Sequence, residues 1–334
     1  MFGDFPDIAD IISWKIILII LIVCIIRQFL KGKQFTGNEK AKGKVVVVTG
    51  CSVGIGKQIV RELNIRGAKV YMGCRDMKRG EDARNSLAVQ GCSPDRLILV
   101  QLDLNSFESI RSFVAYVEQA EQNVDILINN AGIMMVSKFK LNEDGHEYQW
   151  QTNYLGHFYI TELLLPLLKK TSSGARVVNV SCPSHFAGEL SVTDHLENDG
   201  VDQKTAYDSR AAFSRSKLAV VVATKNLTKR LRQSGSDITV NACSPGLSYT
   251  RHFRHLPLST NAVLRYSLAP FAWYLLKTPK DGAQTPLYCA LAKELDGVSG
   301  KYFSECKEVE PAEAASSENL STALYAYSMR ACAM

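Results

Sequence analysis

The sequence predicts an α/β fold: a single doubly wound parallel sheet with an N-terminal membrane anchor helix. Three observations predict it. Short β-branched runs alternate with helix-period segments from residue 44 onward, a glycine-rich turn joins the first run to the first helix, and an unbroken apolar stretch at 16–26 precedes both. The 334 residues suffice for one large domain and an appendage. Apolar residues at 46% and charged residues at 22% argue against disorder over most of the length. The net charge of +6 is scattered, which argues against a nucleic-acid partner. Nine cysteines (Cys24, Cys51, Cys74, Cys92, Cys182, Cys243, Cys289, Cys306, Cys332) are odd in number and include no CxxC pair. Neither a metal site nor a disulfide framework is expected, and the thiols are read as reduced.

Residues 1–33 are read as the anchor. The run from Ile16 to Ile26 is extended upstream by Ile11, Ile12 and Trp14 and interrupted by Lys15. A span needs roughly 20 apolar residues. Counting from Ile8 reaches that if Asp10 and Lys15 sit at the interface, where Lys15 can snorkel. Asp4, Asp7 and Asp10 precede the run, and Arg27, Lys31 and Lys33 follow it, so the positive-inside tendency leaves the large domain cytosolic. A cleaved signal peptide is the alternative, but no small-residue cleavage site follows Ile26. Residues 34–43 read as a polar linker, 44–306 as the α/β domain, and 307–334 as a tail with a helix.

Within the domain, 44–49 (KVVVVT) is a buried-strand pattern ended by glycine. Residues 54–66 read as a helix with Ile55, Ile59, Leu63 and Ile65 as inner-face candidates. Further strands are predicted at 68–73, 97–102, 124–128, 176–181 and 238–242, with an edge strand at 300–303. The helices between them fall at 81–90, 106–122, 148–169 and 213–233. Such alternation means right-handed crossovers, with ligands bound outside the carboxyl ends of the strands.

The motifs fall at those ends. Gly50, Gly54 and Gly56, with Ser52 and Ile55, make the turn between the first strand and its helix. Glycine there permits positive φ and lets the backbone approach a pyrophosphate at the helix terminus. An ordinary tight turn is the alternative, and the context weighs against it. Asp103 and Leu104 follow the third strand, where a carboxylate can accept from an adenine amine; a helix N-cap is the other reading of Asp103. Asn129, Asn130, Ala131 and Gly132 follow the fourth strand, where small residues leave room for a ribose. At the end of the second strand, Cys74 stands where an NAD-preferring chain needs an acidic residue. Arg75 follows with a guanidinium suited to a 2′-phosphate, so NADP(H) is expected over NAD(H); the alternative is a solvated loop charge.

These motifs, with Asn153 in Thr-Asn-Tyr-Leu-Gly-His157 and Lys217 in Ser-Lys-Leu-Ala219, resemble the short-chain dehydrogenase/reductase superfamily. Pro245, Gly246 and Thr250 match the segment that flanks the nicotinamide in that family. The resemblance spans roughly residues 44–303, and Cys74-Arg75-Asp76, Asn153 to His157 and Lys277-Thr-Pro279 look most like the retinol-dehydrogenase-like branch. It implies a Rossmann-type sheet and a membrane-bound NADP(H) oxidoreductase acting on apolar alcohols or carbonyls, of the retinoid, steroid or polyprenol class. The membrane it implies is the endoplasmic reticulum, with the lipid droplet or secretory pathway as alternatives.

The resemblance also implies roles. In the family a tyrosine is the general acid/base, and a lysine one turn later lowers its pKa and binds the nicotinamide ribose. A serine holds the reacting oxygen, and an asparagine supports a proton-relay water. Lys217 and Asn153 are present, but Cys182 stands at the serine position and Phe213 at the tyrosine position. Phenylalanine carries no proton, and losing such a group costs about 10²–10⁴ in rate. A thiol is a weak hydrogen-bond donor. Ser181 alternates to the other face of its strand, Tyr207 reads as packing, and His185 reads as a solvated loop residue. Weakened catalysis is expected. The alternative is a catalytically inactive nucleotide-binding protein serving as sensor or scaffold. Residues 264–276 read either as an apolar lid over the substrate or as a core-packed helix pair. Residues 317–329 read as a closing amphipathic helix with Leu320, Leu324 and Tyr327 on one side. The sequence does not define the oligomeric state.

Overall fold

The computed structural model describes residues 8–172, 174–192, 207–248, 274 and 276–334. The strands are β1 (Val45–Thr49), β2 (Lys69–Cys74), β3 (Leu97–Gln101), β4 (Ile126–Asn129), β5 (Arg176–Val180), β6 (Thr239–Ser244), β7 (Tyr302–Ser304) and β8 (Lys307–Glu308). They form one sheet in the order β3-β2-β1-β4-β5-β6-β7-β8. β1 to β7 pair in parallel, and β8 returns antiparallel to β7. The strand expected at the edge is therefore one place in from it. Glu305 and Cys306, both at φ 52°, turn the chain back there. Strand order reverses between β1 and β4, and this switch point opens the crevice in which such sheets bind ligands.

The helices are α1 (Ile8–Leu30), α2 (Gly54–Ile65), α3 (Met77–Val89), α4 (Phe107–Ala120), α5 (Tyr148–Trp150), α6 (Gly156–Lys169), α7 (Ser209–Gln233), α8 (Pro279–Gly282), α9 (Gln284–Leu291) and α10 (Glu318–Ala331). Side-chain alternation divides the core into two layers. Val47, Tyr71, Leu127, Val177 and Val240 face α4, α6, α7 and α10, whereas Val46, Val48, Met72, Ile128 and Val178 face α2, α3 and α9. Both faces are covered, which is why the strands read as continuous apolar runs.

Several boundaries differ from expectation for identifiable reasons. α3 begins at Met77 rather than 81 because the Asp76 side chain accepts from Arg79 N at 3.1 Å and caps it. α7 begins at Ser209 rather than 213 because Asp208 caps it through Arg210 N at 2.7 Å. On α2, Ile59 and Leu63 face the core, but Ile65 is exposed and Val60 is buried in its stead. The helix expected to run unbroken across 148–169 is interrupted by a π turn at Gln151–Leu155. A π turn re-aims side chains within a helix and is frequent at functional sites. Here it carries Asn153.

Along α1, apolar side chains from Trp14 to Ile26 stand in solvent, Trp14 at 74% and Ile22 at 46% exposure. Among the described residues no helix is long and apolar enough to cross a membrane. The segment behind α1 lies on the domain. Lys33 N donates to Glu305 at 3.1 Å, Gln34 Nε2 to Asp281 at 3.4 Å, and Phe35 N to Gln284 at 3.1 Å, while Ala41 is fully buried. Arg27 Nη1 donates to the carbonyls of Tyr274 and Leu276, both at 2.9 Å.

At the other end of the chain, α10 packs on α7 and buries Leu320, Leu324 and Tyr327. Tyr327 meets Trp150 edge-on, and Tyr154 Oη lies 2.6 Å from Ser328 Oγ. The apolar face of the tail is thus spent on the domain itself. Leu324, 1% exposed, is the centre of this contact. Leu324→Ala should lower the unfolding free energy by about 2–5 kcal/mol, read from the denaturant midpoint at unchanged slope.

Candidate nucleotide and active-site cleft

The carboxyl ends of the strands border a cavity of about 400 Å³. The turn after β1 supplies Gly50, Ser52, Gly54, Ile55 and Gly56 to its wall. Gly50 and Gly54 adopt φ 67° and 62°, where glycine is favoured. At Gly56 a Cβ would stand 2.4 Å from the Gly50 carbonyl oxygen. α2 begins at Gly54, and its N-cap residue Val53 offers no side-chain hydrogen bond. No side chain therefore competes for the first-turn N–H groups, the arrangement that receives a pyrophosphate.

The opposite wall carries the other predicted residues. Asn130 Nδ2 donates to Thr49 O at 3.0 Å and Gly50 O at 3.2 Å, locking the glycine turn. Ala131 packs on Gly50, and Gly132 continues the wall. Asp103 and Leu104 border the cavity. Asp103 is not a helix cap: its Oδ1 accepts from Asn105 N, and the N-cap of α4 is Ser106. Arg75 and Arg79 stand at the rim. Arg75 Nη1 donates to Tyr148 Oη at 3.0 Å, so it is not simply solvated. Asp76, the acidic neighbour, is engaged by Arg79 N and the Arg79 guanidinium.

Further along the cleft lie Cys182, Phe213, Lys217, Pro245 and Gly246. Thr250, most of the apolar 264–276 stretch and residues 193–206 fall outside the described residues. Lys217 Nζ donates to Val180 O at 3.1 Å and lies 5.9 Å from the centroid of the Phe213 ring. Both side chains are 6% exposed. Burial pulls the Lys217 pKa below the ordinary lysine value, against smaller opposing effects of Cys182 and Cys243. Ser181 Oγ donates to Lys217 O at 2.9 Å. Its hydroxyl is engaged by α7.

Asn153 is fully buried and does not border the cavity. Its Oδ1 accepts from Ile133 N at 2.9 Å, and its Nδ2 donates to Ile133 O and Ser216 Oγ, both at 3.0 Å. Ser216 Oγ donates in turn to Phe213 O at 2.7 Å. Asn153 therefore ties the wall after β4 to the helix that carries Phe213 and Lys217. Tyr207 donates to Glu147 and accepts from Gln149, and its pKa is raised by burial first and then by Glu147. It packs edge-on against Phe139 and does not border the cavity. His185 is not solvated: it is fully buried, with Nδ1 2.8 Å from Cys182 O and Nε2 accepting from Ala312 N.

His157 escaped the sequence reading as a site residue. Thr49 Oγ1 accepts from Asn130 N and Ala131 N, both at 3.0 Å, so its own hydrogen goes to His157 Nε2 at 2.9 Å. The ring proton then sits on Nδ1 and donates to Asn153 O at 3.1 Å. His157 ends the Thr-Asn-Tyr-Leu-Gly-His motif, but its role was hidden because its partner Thr49 lies 108 residues away.

The family described as short chain dehydrogenase matches residues 44–193. Retinol dehydrogenase 13 of Mus musculus is 40% identical over 307 residues, covering 92% of this chain and 89% of that protein. The chain belongs to the short-chain dehydrogenase family. Retinol dehydrogenase 12 of Homo sapiens is 42% identical over 84% of each chain. A structure of an uncharacterized protein from Mycobacterium paratuberculosis superposes with TM-score 0.70 at 30% identity, covering 91% of this short-chain dehydrogenase and 98% of that chain. The RhlG/NADP active-site complex of Pseudomonas aeruginosa shares the fold, with TM-score 0.60 at 24% identity over 79% of this chain and 95% of that one. The family is one of oxidoreductases that bind a nicotinamide dinucleotide, and this member is related to the retinol dehydrogenases.

Burial drops the His157 pKa from 6.5 to about 3. The unfolded chain takes up this proton below pH 6.5 and the folded one does not, so stability rises with pH across that window and is lost on acidification. His157→Gln should flatten the slope of stability against pH between 6 and 4 by about 1.4 kcal/mol per unit, measured by denaturant titration at each pH.

Proposed function

We propose that this short-chain dehydrogenase is a membrane-anchored NADP(H) oxidoreductase acting on an apolar alcohol or carbonyl of the retinoid, steroid or polyprenol class. Its catalysis is weakened at Phe213 and Cys182. The observation that carries the reading is the uncapped N-terminus of α2 over the Gly50, Gly54 and Gly56 cradle, in one cavity with Lys217. NADP(H) over NAD(H) is supported by Arg75 and Arg79 at the rim and by Cys74 where an acid would repel a 2′-phosphate. When bound, the nicotinamide supplies the hydride acceptor or donor at its C4.

The chain's own residues would do the rest. Lys217 spends one donor on Val180 O and keeps its others for the ribose. Phe213 turns a carbon edge to the cavity where the proton donor of the family stands, and Cys182 offers a thiol for the hydroxyl. Anchoring is supported by the exposed apolar side chains of α1 and by Arg27, Lys31 and Lys33 behind them. By the same charge bias the domain faces the cytosol, at the endoplasmic reticulum in the first instance. The second reading is a nucleotide-binding sensor or scaffold without turnover, which the Phe213 ring favours.

Fluorescence titration should show NADPH binding tighter than NADH. Arg75→Ala should weaken NADPH about tenfold and leave NADH unchanged. Phe213→Tyr with Cys182→Ser should raise NADPH-dependent reduction of a long-chain apolar aldehyde at least tenfold, towards the roughly 10²–10⁴ that a placed acid supplies. No gain in a folded, nucleotide-bound double variant would leave the sensor or scaffold reading standing.

A further inference from the structure

Two thiols meet behind the nucleotide wall. Cys51, in the glycine turn, holds its Sγ 3.6 Å from the Sγ of Cys74, the last residue of β2. Neither is more than 1% exposed, and Cys74 borders the cavity. The contact is imposed by the sheet. β1 and β2 are paired in register up to Thr49 and Gly73, and Gly50 N donates to Gly73 O at 2.9 Å, so Cys51, two residues past Thr49, turns back beside Cys74, one residue past Gly73. The Cys51 thiol also lies 3.3 Å from Val48 O. With one hydrogen to give, it is pulled between a carbonyl and a second sulfur.

We propose that Cys51 and Cys74 are a reversible dithiol–disulfide pair, oxidised by peroxide, that controls nucleotide binding in the cleft. Only Cys74 has to meet the oxidant, and it does so through the cavity. The hydrogen bond from Cys51 holds the Cys74 thiol below its ordinary pKa, whereas burial pushes Cys51 up. Of the two, only Cys74 borders the cavity, and it is the attacking sulfur. Its sulfur bonds to one peroxide oxygen, the O–O bond breaks, and the other oxygen leaves as water with the thiol proton, giving a sulfenic acid. Cys51 sulfur then attacks Cys74 sulfur, the S–O bond breaks, and the second water leaves with the Cys51 proton. Two thiols and one peroxide become one disulfide and two waters. A small thiol reverses the exchange.

Closing the bond draws the sulfurs from 3.6 Å to about 2.0 Å. The turn has no slack to absorb this. Gly50 lies against Ala131, and Gly56 against Gly50 O and the Cys51 Cα. Contraction must therefore shift either the pyrophosphate turn or the strand end that presents Arg75. The consequence for nucleotide rests on the function proposed above; the disulfide does not.

The full chain in detergent, reduced and then titrated with hydrogen peroxide, is trapped with N-ethylmaleimide for peptide mass spectrometry and titrated in parallel with NADPH. The expected result is a linked Cys51–Cys74 peptide, at least a tenfold rise in the NADPH Kd, and recovery of both with dithiothreitol. Cys51 and Cys74 both still alkylated at a dose that oxidises Cys182 would overturn the pair. A linked peptide with an unchanged Kd would overturn the control. In Cys51→Ser, Cys74 should stop at a dimedone-reactive sulfenic acid and peroxide should leave the Kd within twofold; a retained tenfold loss would assign the effect to another thiol and overturn the proposal. If the reduced chain binds neither NADPH nor NADH, the nucleotide reading fails, and the linked peptide still decides whether the pair forms.

Discussion

Thr49 Oγ1 accepts the N–H groups of Asn130 and Ala131, and it has one hydrogen left, which it gives to His157. That single hydroxyl joins the end of β1 to the wall after β4 across the switch point of the sheet. The neutral imidazole passes the constraint to Asn153, and the Asn153 side chain passes it to Ile133 and, through Ser216, to Phe213. The glycine turn, the far wall of the cleft and the helix bearing Lys217 are therefore registered by one buried chain of bonds. Such a network is stabilising only when complete, because each unpaired member in a dry interior costs the desolvation of its polar group.

The framework for holding a nucleotide and the machinery for moving a proton are separable in this short-chain dehydrogenase. The first is intact: the uncapped helix terminus, the glycines without room for a Cβ, and the Asn130 amide that locks them. The second, on the reading proposed above, lacks its hydroxyl at Phe213. Lys217 now faces an aromatic ring at 5.9 Å, an arrangement that stabilises the ammonium through the ring quadrupole yet gives it no proton to steer. On that reading binding and turnover depend on different residues in the same cavity.

Local chemistry explains what the sequence showed and what it hid. The glycine turn, Asp103, Asn130 and Lys217 were legible because each is required by its own strand end, within a few residues of a recognisable pattern. The role of His157 and the burial of His185 were not, because they depend on partners 108 and 127 residues away. The early starts of α3 and α7 were written in Asp76 and Asp208, aspartates that precede the apolar periodicity by which helices are found. The π turn leaves no such mark: Gln151–Leu155 fall inside the single helix expected across 148–169. The segment at 34–43 looked free because it is polar, yet the Gln34 amide and Phe35 N are bonded to side chains of distant helices.

That stitching removes a degree of freedom. With Lys33, Gln34 and Phe35 fixed to Glu305, Asp281 and Gln284, and Arg27 holding the carbonyls of Tyr274 and Leu276, α1 is a mount rather than a tether. The sheet turns only when the helix axis turns. On the anchoring proposed above, the cleft would therefore be carried at one set angle to the surface in which the helix lies, and an apolar ligand held in that surface would reach it by a lateral search in two dimensions.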